Sequence, residues 1–317
     1  MKILAVSFGR KMHNCDILSI HALKAAQEAG AQVKLINTMN LNISHCRGCG
    51  ACSAGRDKGK QIRCVINDDY LMLEDAILDA DGVIVAAPVY ALAPTGQMKN
   101  FDDRFGAAHD LAAATEEQKK RKAEGKELLD ERLFRDKWVA YISVGGCHTP
   151  NWVSMGLPNF YMFGMSTCWT VVGQIDAYDM GHKVNPVLDE TFMDRVAALG
   201  RHLAESIGKP KDEVTWLGEE GVCPVCHNKF ISISEDHSTE VECPMCGIRG
   251  TLEIVDGKVK VTFSEKEQQR ARNTLKGLYE HYYELQEMND IIKETITNRG
   301  GEIQGKMKEY QQFENTY

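Results

Sequence analysis

The sequence lacks the features of a membrane or secreted protein. None of its apolar runs approaches the roughly 18 residues that a transmembrane helix needs. The apolar run after Met1 is too short for the core of a signal peptide. The chain has 27 glycines, but they follow no triplet period, which excludes a collagen-like protein. We therefore expect a cytoplasmic protein without membrane contact.

An excess of basic residues is also missing. The 37 Lys and Arg residues are outnumbered by 45 Asp and Glu residues, which gives a formal net charge of −8. Nucleic-acid-binding proteins usually carry a basic face, so this balance argues against a nucleic-acid partner for the whole protein. The hydrophobic content of 43% is enough for a core, and a length of 317 residues predicts two domains, or one with additions.

Five apolar runs rich in β-branched residues predict buried strands of a parallel sheet. They begin near Lys2, Val33, Gly82, Trp138 and Thr170. Between these runs, apolar residues recur at intervals of three and four, which predicts amphipathic helices. Strands that alternate with helices predict a doubly wound α/β domain over residues 1–210. Two stretches interrupt it: 39–66 holds four cysteines, and the charged stretch 109–136 predicts a solvated helical excursion.

Beyond residue 213 the pattern changes. Residues 214–263 contain two cysteine pairs and a predicted hairpin that turns at Asp256-Gly257. Residues 264–317 begin with a capping box and continue as a predicted amphipathic helix, broken at Gly300-Gly301. The apolar stripe of that helix needs a partner, which is either its own domain or another subunit.

The loop after the first run is a candidate anion site, because a helix N-terminus offers unpaired N–H groups. Residues 7–15 contain neither a G-x-G-x-x-G nor a Walker lysine motif. Their hydroxyl, amide and basic groups suit a single terminal phosphate, and an ordinary polar turn is the alternative. The loops after the third and fourth strands, 88–104 and 143–149, are expected at the same sheet edge.

Together these three loops resemble the flavodoxin-like NAD(P)H-dependent FMN reductase family. The resemblance covers about residues 1–208 and rests on the 7–15 loop, on Pro-Val-Tyr followed by Thr-Gly-Gln-Met-Lys and Asp-Arg, and on Gly145-Gly146. It implies a five-stranded flavodoxin-like sheet, a bound FMN, NAD(P)H as a transient co-substrate, and a homodimer or homotetramer. Cys15 departs from the family pattern, which has Ser or Thr there.

The resemblance also implies individual contacts. The FMN phosphate is expected at Ser7, Arg10, Lys11, His13, Asn14 and Cys15. The isoalloxazine ring is expected at Pro88, Val89, Tyr90, Ala91, Thr95, Gly96, Gln97, Gly145, Gly146, Cys147 and His148. Tyr90 is predicted to stack on the ring, with a rim aromatic as the alternative. His148 is a candidate proton donor, with a polar rim residue as the alternative.

Eight of the eleven cysteines fall into two tight groups, which in a reducing cytosol favours metal sites over disulfides. The first group is Cys46, Cys49, Cys52 and Cys64. It resembles the cluster segment of iron–sulfur flavoproteins, a branch of the same family, except that the inserted run 53–63 is longer. A [4Fe–4S] cluster is the leading interpretation; a zinc site and plain thiols are the alternatives.

The second group has the spacing C-x2-C-x16-C-x2-C, which is typical of a zinc site. Its members are Cys223, Cys226, Cys243 and Cys246. Four thiolates fill a tetrahedron, so the site is predicted to be structural and to define a zinc ribbon. A rubredoxin-like iron site is the alternative.

The sequence thus predicts an FMN-dependent iron–sulfur flavoprotein that passes electrons between NAD(P)H or a ferredoxin-type protein, FMN and a cluster, to an unidentified acceptor. A second hypothesis is a cluster-free NAD(P)H-dependent reductase of a small quinone, nitroaromatic or activated alkene. A third is a redox-responsive binding protein that uses its zinc ribbon to contact a partner protein or a nucleic acid.

Overall fold

A parallel sheet forms the centre of the molecule. The computed structural model describes residues 1–57 and 61–314. The strands of the main sheet are β1 (Lys2–Ser7), β2 (Gln32–Asn37), β3 (Gly82–Tyr90), β4 (Ala93–Pro94), β5 (Trp138–Val144) and β6 (Thr170–Ala177). The order is β2-β1-β3-β5-β6, all parallel, and β4 pairs antiparallel to β3. This order confirms the predicted doubly wound, flavodoxin-like fold.

Helices cover both faces of this sheet. The described helices are α1 (Asn14–Glu28), α2 (Ala51–Asp57), α3 (Tyr70–Asp79), α4 (Gly96–Ala108), α5 (Leu111–Glu124), α6 (Gly156–Phe160), α7 (Glu190–Ser206), α8 (Glu265–Gln269) and α9 (Leu275–Gln311). Along β1, Ile3 packs on the α1 and α7 side, and Leu4 packs on the α3 and α4 side. Both faces of the strands are therefore buried, which explains their continuous apolar runs.

Helices α1 and α7 pack at very short range. A Cβ at Gly200 would lie 1.9 Å from the carbonyl oxygen of Ala22, so only glycine fits at this contact. On the opposite face, Phe101, Phe105 and Phe163 form a stack of rings beneath α4.

The charged stretch 109–136 is helical as predicted, but it is only partly solvated. The Arg121 side chain is 1% exposed, with its Nε 2.6 Å from Glu117 Oε1, and Ala112 is fully covered on the opposite side of α5. Helix α9 covers this side, and the Tyr279 hydroxyl donates to Glu116 Oε1 at 2.6 Å. The C-terminal helix therefore packs partly on the first domain.

A small antiparallel sheet follows the main domain. Its strands are β7 (Ser232–Ile233), β8 (Glu240–Glu242), β9 (Arg249–Val255) and β10 (Lys258–Phe263), in the order β10-β9-β8-β7. The turn between β9 and β10 has φ of 50° at Asp256 and 72° at Gly257, so the predicted type I′ hairpin is confirmed. Leu217, in the connection to this sheet, pairs in parallel with Gly173 of β6.

The C-terminal segment differs from its prediction in two respects. Ser264 caps a helix by accepting from the Glu267 N–H, but that helix, α8, ends at Gln269. The long helix α9 begins after a new cap at Thr274 and runs through Gly300-Gly301 to Gln311, so the predicted break there is wrong. Two glycines cost about 1 kcal/mol each in a helix, and Glu302 offsets part of that cost by pairing with Arg299 and Lys306.

Helix α9 leaves apolar side chains exposed along its outer length. They include Tyr283, Met288, Ile291, Ile292, Ile296, Ile303, Met307 and Tyr310. Among the described residues, no helix combines the length and apolarity that crossing a membrane requires. The division into 1–210, 214–263 and 264–317 stays a prediction, because the buried ribbon cysteines belong to the same apolar cluster as α3 and α4.

Candidate functional site

The carboxyl ends of three neighbouring strands meet at one edge of the sheet. Ser7 of β1 pairs with Ala86 of β3, and Pro88 of β3 pairs with Val144 of β5. The sheet order reverses direction between β1 and β3, and ligands of open α/β sheets bind at such switch points. The loops predicted to hold FMN therefore emerge side by side.

The 7–15 loop leads from β1 into the N-terminus of α1. No side chain caps this helix at His13, so its first N–H groups are available to an anion. The Ser7 hydroxyl is fully buried and has no hydrogen-bond partner. A Cβ at Gly9 would lie 2.7 Å from Cys15 Sγ, so the loop closes tightly there. An unpartnered hydroxyl beside an uncapped helix fits a phosphate group.

Two residues that sequence reasoning missed brace this loop. Asp16 is 1% exposed and accepts from the Met12 N–H at 2.7 Å and from Asn37 Nδ2 at 2.7 Å. Asn37 also donates to the Gly9 carbonyl at 3.0 Å. These bonds stabilise Met12 at a φ of 57°, which non-glycine residues rarely adopt. No local motif marks Asn37, because it lies on the neighbouring strand.

The remaining members of the loop divide by exposure. Cys15 is buried, and burial together with the nearby Asp16 carboxylate raises the pKa of its thiol to about 12. The thiol therefore stays neutral and able to donate. Arg10, Lys11 and His13 are exposed, and Asn14 is half-buried. Their side chains are accessible to a phosphate at the helix terminus.

The loop after β3 turns sharply over the same edge. Tyr90 pairs with Ala93 of β4, and the two residues between them, Ala91 and Leu92, have φ of 47° and 73°. Such values are costly for residues with a Cβ, and they are concentrated at ligand-binding sites. Tyr90 is 58% exposed. Its ring is therefore free to contact a planar ligand.

The next residues of this loop lead into α4. Thr95 is the N-cap of α4 and makes no side-chain cap bond, and space is open beside Gly96. The Gln97 side chain, in contrast, already has hydrogen-bond partners within the protein. Its amide nitrogen donates to the Thr38 carbonyl at 2.7 Å, and its amide oxygen accepts from the Thr38 hydroxyl at 3.1 Å. Gln97 thus connects the β2 end to α4.

The loop after β5 is held by the chain that follows β6. The Gly146 carbonyl accepts from Gly181, and the Cys147 carbonyl accepts from Asp179 at 2.8 Å. A Cβ at Gly145 would lie 2.1 Å from the Val153 side chain, so glycine is required there. Gly146 faces open space, and Cys147 is exposed.

His148 lies in a small polar group on the rim of this loop. Its ring contacts the ring of His182 edge to face at 5.0 Å between centroids, and His182 Nδ1 lies 2.9 Å from Asp179 Oδ1. The ligand-type atoms of these three residues lie within 4.8 Å of one another. Neither His182 nor Asp179 was singled out from the sequence, because they reach this rim from a different strand.

The first cysteine group is spread over a loop and two partly buried positions. Cys46 and Cys49 are exposed, whereas Cys52, at the start of α2, and Cys64 are partly buried. Among the described residues, no three of these four sulfurs lie within 4.8 Å of one another. The group is therefore not gathered as a single-ion site. Part of the inserted run 53–63 lies outside the described residues.

Arg104 organises the segment that carries this group. Its guanidinium is fully buried and pairs with both oxygens of Asp68 at 2.8 and 2.9 Å. It also donates to Cys64 Sγ at 3.3 Å and to the carbonyls of Ser44 and Ile66. Burial opposes the charge on Asp68, but hydrogen bonds from Arg104 hold the pKa of this carboxyl below its usual value.

The second cysteine group is a compact buried site. All four side chains are at most 3% exposed, and their sulfurs lie within 4.8 Å of one another. The Cys223 and Cys246 sulfurs are 3.8 Å apart, and those of Cys226 and Cys243 are 3.5 Å apart. Thiolates at about 2.3 Å from one tetrahedral ion lie about 3.8 Å from each other. The residues therefore fit a single four-coordinate metal ion.

Two equivalent turns present these sulfurs. The Cys223 carbonyl accepts from the His227 N–H at 2.9 Å, and the Cys243 carbonyl accepts from the Gly247 N–H at 2.8 Å. The residue after each pair, His227 or Gly247, has a positive φ. Hydrogen bonds among the four thiols lower the pKa of Cys243 and raise the pKa of Cys226 and Cys246, because the sulfurs are close enough to share protons.

Similarity to known proteins extends over the whole chain. A flavone synthase of Aspergillus candidus is 29% identical over 302 residues, which cover 90% of this chain and 89% of that protein. The solved structure of a flavone reductase matches with a TM-score of 0.82 and 27% identity, covering 100% of this chain and 99% of the other.

A second set of relatives matches only part of the chain. Iron–sulfur flavoproteins of Archaeoglobus fulgidus and Methanosarcina thermophila are each 39% identical, over 96 and 105 residues. These matches cover 30% and 33% of this chain, and 41% and 52% of the relatives.

The family assignment follows from the longest family match. Residues 1–174 match the family described as NADPH-dependent FMN reductase. This match covers more than half of the chain and includes all three loops at the sheet edge. It confirms the resemblance carried by those loops. The chain therefore belongs to the NADPH-dependent FMN reductase family and is an FMN-dependent oxidoreductase.

Proposed function

We propose that this protein uses NAD(P)H to reduce an activated alkene of the flavone class. The observation that carries this proposal is the likeness to a flavone reductase over essentially both whole chains. A flavone synthase is also similar over 90% of the chain. A flavone synthase is named for forming a flavone, and a flavone reductase is named for consuming one. Both names fit a reaction that adds hydrogen to, or removes it from, the same carbon–carbon bond. The NADPH-dependent family favours the reductive direction here.

In the proposed reaction, two hydrogens add across the carbon–carbon double bond that is conjugated with the flavone carbonyl. One NAD(P)H and one proton are consumed, and NAD(P)⁺ and the saturated product are released. When bound, FMN supplies hydride-transfer chemistry that no protein side chain can supply. The tasks left to the chain are to hold the cofactor, orient the alkene and deliver the proton.

The chain would hold FMN at the switch point. The uncapped N-terminus of α1, the Ser7 hydroxyl and the neutral Cys15 thiol support a phosphate contact. Tyr90 and the open backbone at Gly146 support a place for the ring between the β3 and β5 loops. Exposed basic residues of the loop add a favourable charge for the phosphate dianion.

His148 would deliver the proton. It is exposed beside the proposed ring position, and its ring touches His182, which is paired with Asp179. The Asp179 carboxylate lies 2.9 Å from His182 Nδ1 and so fixes the orientation of the ring that His148 contacts. A positioned general acid contributes about 10²- to 10⁴-fold to the rate. His148→Gln is therefore expected to lower kcat by about that factor while FMN stays bound.

The test is turnover by the FMN-loaded full chain without oxygen. With NADPH and unsubstituted flavone, we expect one NADPH oxidised for each flavone converted to its dihydro product, measured by absorbance and chromatography. The matched control is His281→Gln. The His281 side chain lies on α9 and is 57% exposed, so this variant should reduce flavone like wild type. NADPH oxidation without any dihydro product would reject the flavone class.

A second candidate function is electron transfer through a [4Fe–4S] cluster at the first cysteine group. The donation from Arg104 to Cys64 Sγ favours it, because such hydrogen bonds stabilise thiolate ligands. The similarity to iron–sulfur flavoproteins points the same way. A ferredoxin-type protein or NAD(P)H would then be the electron donor.

Iron and acid-labile sulfide per chain, in protein purified without oxygen, test this candidate. About four of each per FMN would support the cluster, and Cys49→Ala should abolish them while flavin is retained. Protein with flavin but without iron and sulfide would reject it. Cys168→Ala is the matched control, because that cysteine is buried away from the loop.

We further propose zinc at the second cysteine group and a homo-oligomeric assembly. Four buried thiolates leave no open coordination position, so the ion would be structural. The exposed apolar side of α9 is the surface that a second copy would cover. A cytoplasmic location stays a prediction from the sequence, which shows neither a signal-peptide core nor a transmembrane run.

A further inference from the structure

Two loops meet at the rim of the proposed flavin site and are joined by backbone hydrogen bonds. The N–H groups of residues 179–181 donate to the carbonyls of residues 145–147 at 2.8–3.1 Å. A Cβ at Gly181 would lie 2.8 Å from the Gly146 carbonyl oxygen, so glycine is required at this approach. These contacts fix the backbone that carries His148 on one loop relative to the backbone that carries two polar side chains on the other.

The three side chains at this junction are of types that bind transition-metal ions. They are His148, Asp179 and His182, and one ligand atom from each lies within 4.8 Å of the other two. Imidazole is the commonest protein ligand for metals, and carboxylates complete many such sites. In the part of the chain that the structure describes, the second cysteine group is the one other set that meets this criterion. The histidine group is therefore a second candidate metal site.

Two of these ligand atoms already have the separation that a shared ion requires. His182 Nδ1 lies 2.9 Å from Asp179 Oδ1. Ligand atoms bonded to one ion at about 2.1 Å lie about 3.0 Å apart at octahedral angles and about 3.4 Å apart at tetrahedral angles. Among the described residues, Asp179 Oδ1 has no hydrogen-bond partner, so this contact is not a hydrogen bond. A cation between the nitrogen and the oxygen would satisfy both atoms.

The third ligand reaches the same ion through a small side-chain movement. The His148 ring meets the His182 ring edge to face, with 5.0 Å between the centroids, and both rings are exposed. A ligand atom that starts 4.8 Å away has to approach by about 1.4 Å to reach the tetrahedral separation. Rotation of an exposed histidine provides such a displacement, because its χ2 angle is confined to no narrow range.

The donor set selects the class of ion. Calcium and magnesium prefer oxygen ligands, whereas two imidazole nitrogens and one carboxylate suit zinc, cobalt, nickel and copper. No sulfur belongs to this group, although Cys147 is exposed next to it in the chain. The neighbouring Lys183 is paired with Asp189, which balances its charge. Three protein ligands leave a coordination position to water, so the ion exchanges more readily than one enclosed by four thiolates.

We propose that His148, Asp179 and His182 bind one divalent ion of the zinc class and that this ion inhibits the enzyme. The ion takes the nitrogen lone pair of His148 that would otherwise hold a proton, and the displaced proton passes to water. His148 is then unable to protonate the substrate. Binding of the ion stands on the three residues alone, whereas inhibition rests on the proposed function.

The first measurement is titration with Co²⁺ of the FMN-loaded full chain, after its second cysteine group has been filled with metal. We expect one further ion per chain that lacks the sulfur-to-cobalt charge-transfer absorption of cysteine ligands. Cobalt taken up by the first cysteine group would carry that absorption and is thereby counted separately. His182→Gln and Asp179→Asn should each weaken the sulfur-free binding by at least about 10-fold.

The matched control is His281→Gln. The His281 side chain also faces a carboxylate, with its Nδ1 3.5 Å from Glu284 Oε2, but it belongs to no three-ligand group of the described residues. This variant should bind cobalt like wild type. If no sulfur-free cobalt binds, or if it binds to His182→Gln and Asp179→Asn as tightly as to wild type, the proposed site is overturned.

The second measurement is flavone reduction with and without Zn²⁺, expressed as a ratio of rates for each protein. Saturating zinc should lower the wild-type rate by about 10²- to 10⁴-fold, which is the contribution of a positioned general acid. His182→Gln should need at least about 10-fold more zinc for the same loss, and a chelator should restore the rate of both proteins.

The outcomes separate this inference from the proposed function. If flavone is not reduced but cobalt binding still depends on His182 and Asp179, the substrate assignment fails and the metal site stands. If flavone is reduced and saturating zinc leaves the wild-type rate unchanged, the inhibitory role is overturned while the proposed function stands.

Discussion

Replacing Arg104 with methionine removes a guanidinium whose five N–H groups all have acceptors. Two go to the Asp68 carboxylate, one to Cys64 Sγ, and two to the carbonyls of Ser44 and Ile66. Methionine has a similar length and no charge, so the change leaves little empty space. Its main effect is on Asp68, whose side chain is 3% exposed.

The expected loss follows from that burial. Breaking a buried ion pair by removing one partner costs about 3–5 kcal/mol, because the other charge stays buried without compensation. Asp68 keeps the N–H groups of Ser44 and Tyr70 as donors at 2.9 and 3.2 Å, which limits the loss. We therefore expect Arg104→Met to lower the free energy of unfolding by about 4 kcal/mol. Adding Asp68→Asn removes the stranded charge and should recover about half of it.

The assay is urea unfolding of the FMN-loaded protein, followed by tryptophan fluorescence. The control is Arg299→Met, which breaks a pair whose arginine is 64% exposed and should cost less than about 1 kcal/mol. The folded-state pKa of Asp68 is lowered, so its contribution is present above the usual Asp pKa of about 3.9 and is lost as the pH falls through the lowered value. The difference between wild type and Arg104→Met should therefore shrink in acid. If Arg104→Met lowers the free energy of unfolding by no more than Arg299→Met does, the reasoning is refuted.

Four further predictions concern other parts of the molecule. Gly9→Ala places a Cβ 2.7 Å from Cys15 and should weaken FMN binding by about 10- to 100-fold in a flavin-fluorescence titration, whereas Gly301→Ala, with open space around it, should not. Cys15→Ser supplies a stronger donor and should tighten FMN binding by about 2- to 10-fold; weaker binding would contradict a phosphate contact there. Cys243→Ser should eliminate the metal bound per chain, as measured by elemental analysis. If the variant retains the metal, the metal binds at another site. Ile292→Glu should reduce the native mass by light scattering if α9 joins the subunits, and an unchanged mass would exclude this face.

The main sheet was predictable because both faces of each strand are buried. Ile3 and Leu4 face opposite layers of helices, so residues 3–6 of β1 are all apolar and the run stands out in the sequence. The hairpin at Asp256-Gly257 was predictable for a local reason, since the turn requires two positive φ values. Signals of this kind depend only on neighbours in the chain.

The parts that were missed depend on distant neighbours. Asp16 and Asn37 brace the phosphate loop from a helix and from the next strand, and a single sequence does not show that pairing. The break expected at Gly300-Gly301 did not occur, because glycine disfavours a helix by only about 1 kcal/mol per residue, which ion pairs in the same turns can offset.

The pairing of Leu217 with β6 affects how the protein behaves in concentrated solution. Leu217 donates to the Val172 carbonyl and accepts from the Gln174 N–H, both at 3.0 Å, so it occupies backbone groups on the outer side of the last strand. Uncovered strands at a sheet margin recruit strands of other molecules and start aggregates. A fragment that stops before residue 214 would expose this margin, and we expect it to precipitate where the full chain does not. The segment that contains Leu217 therefore limits the self-association of the protein, independently of any metal or flavin.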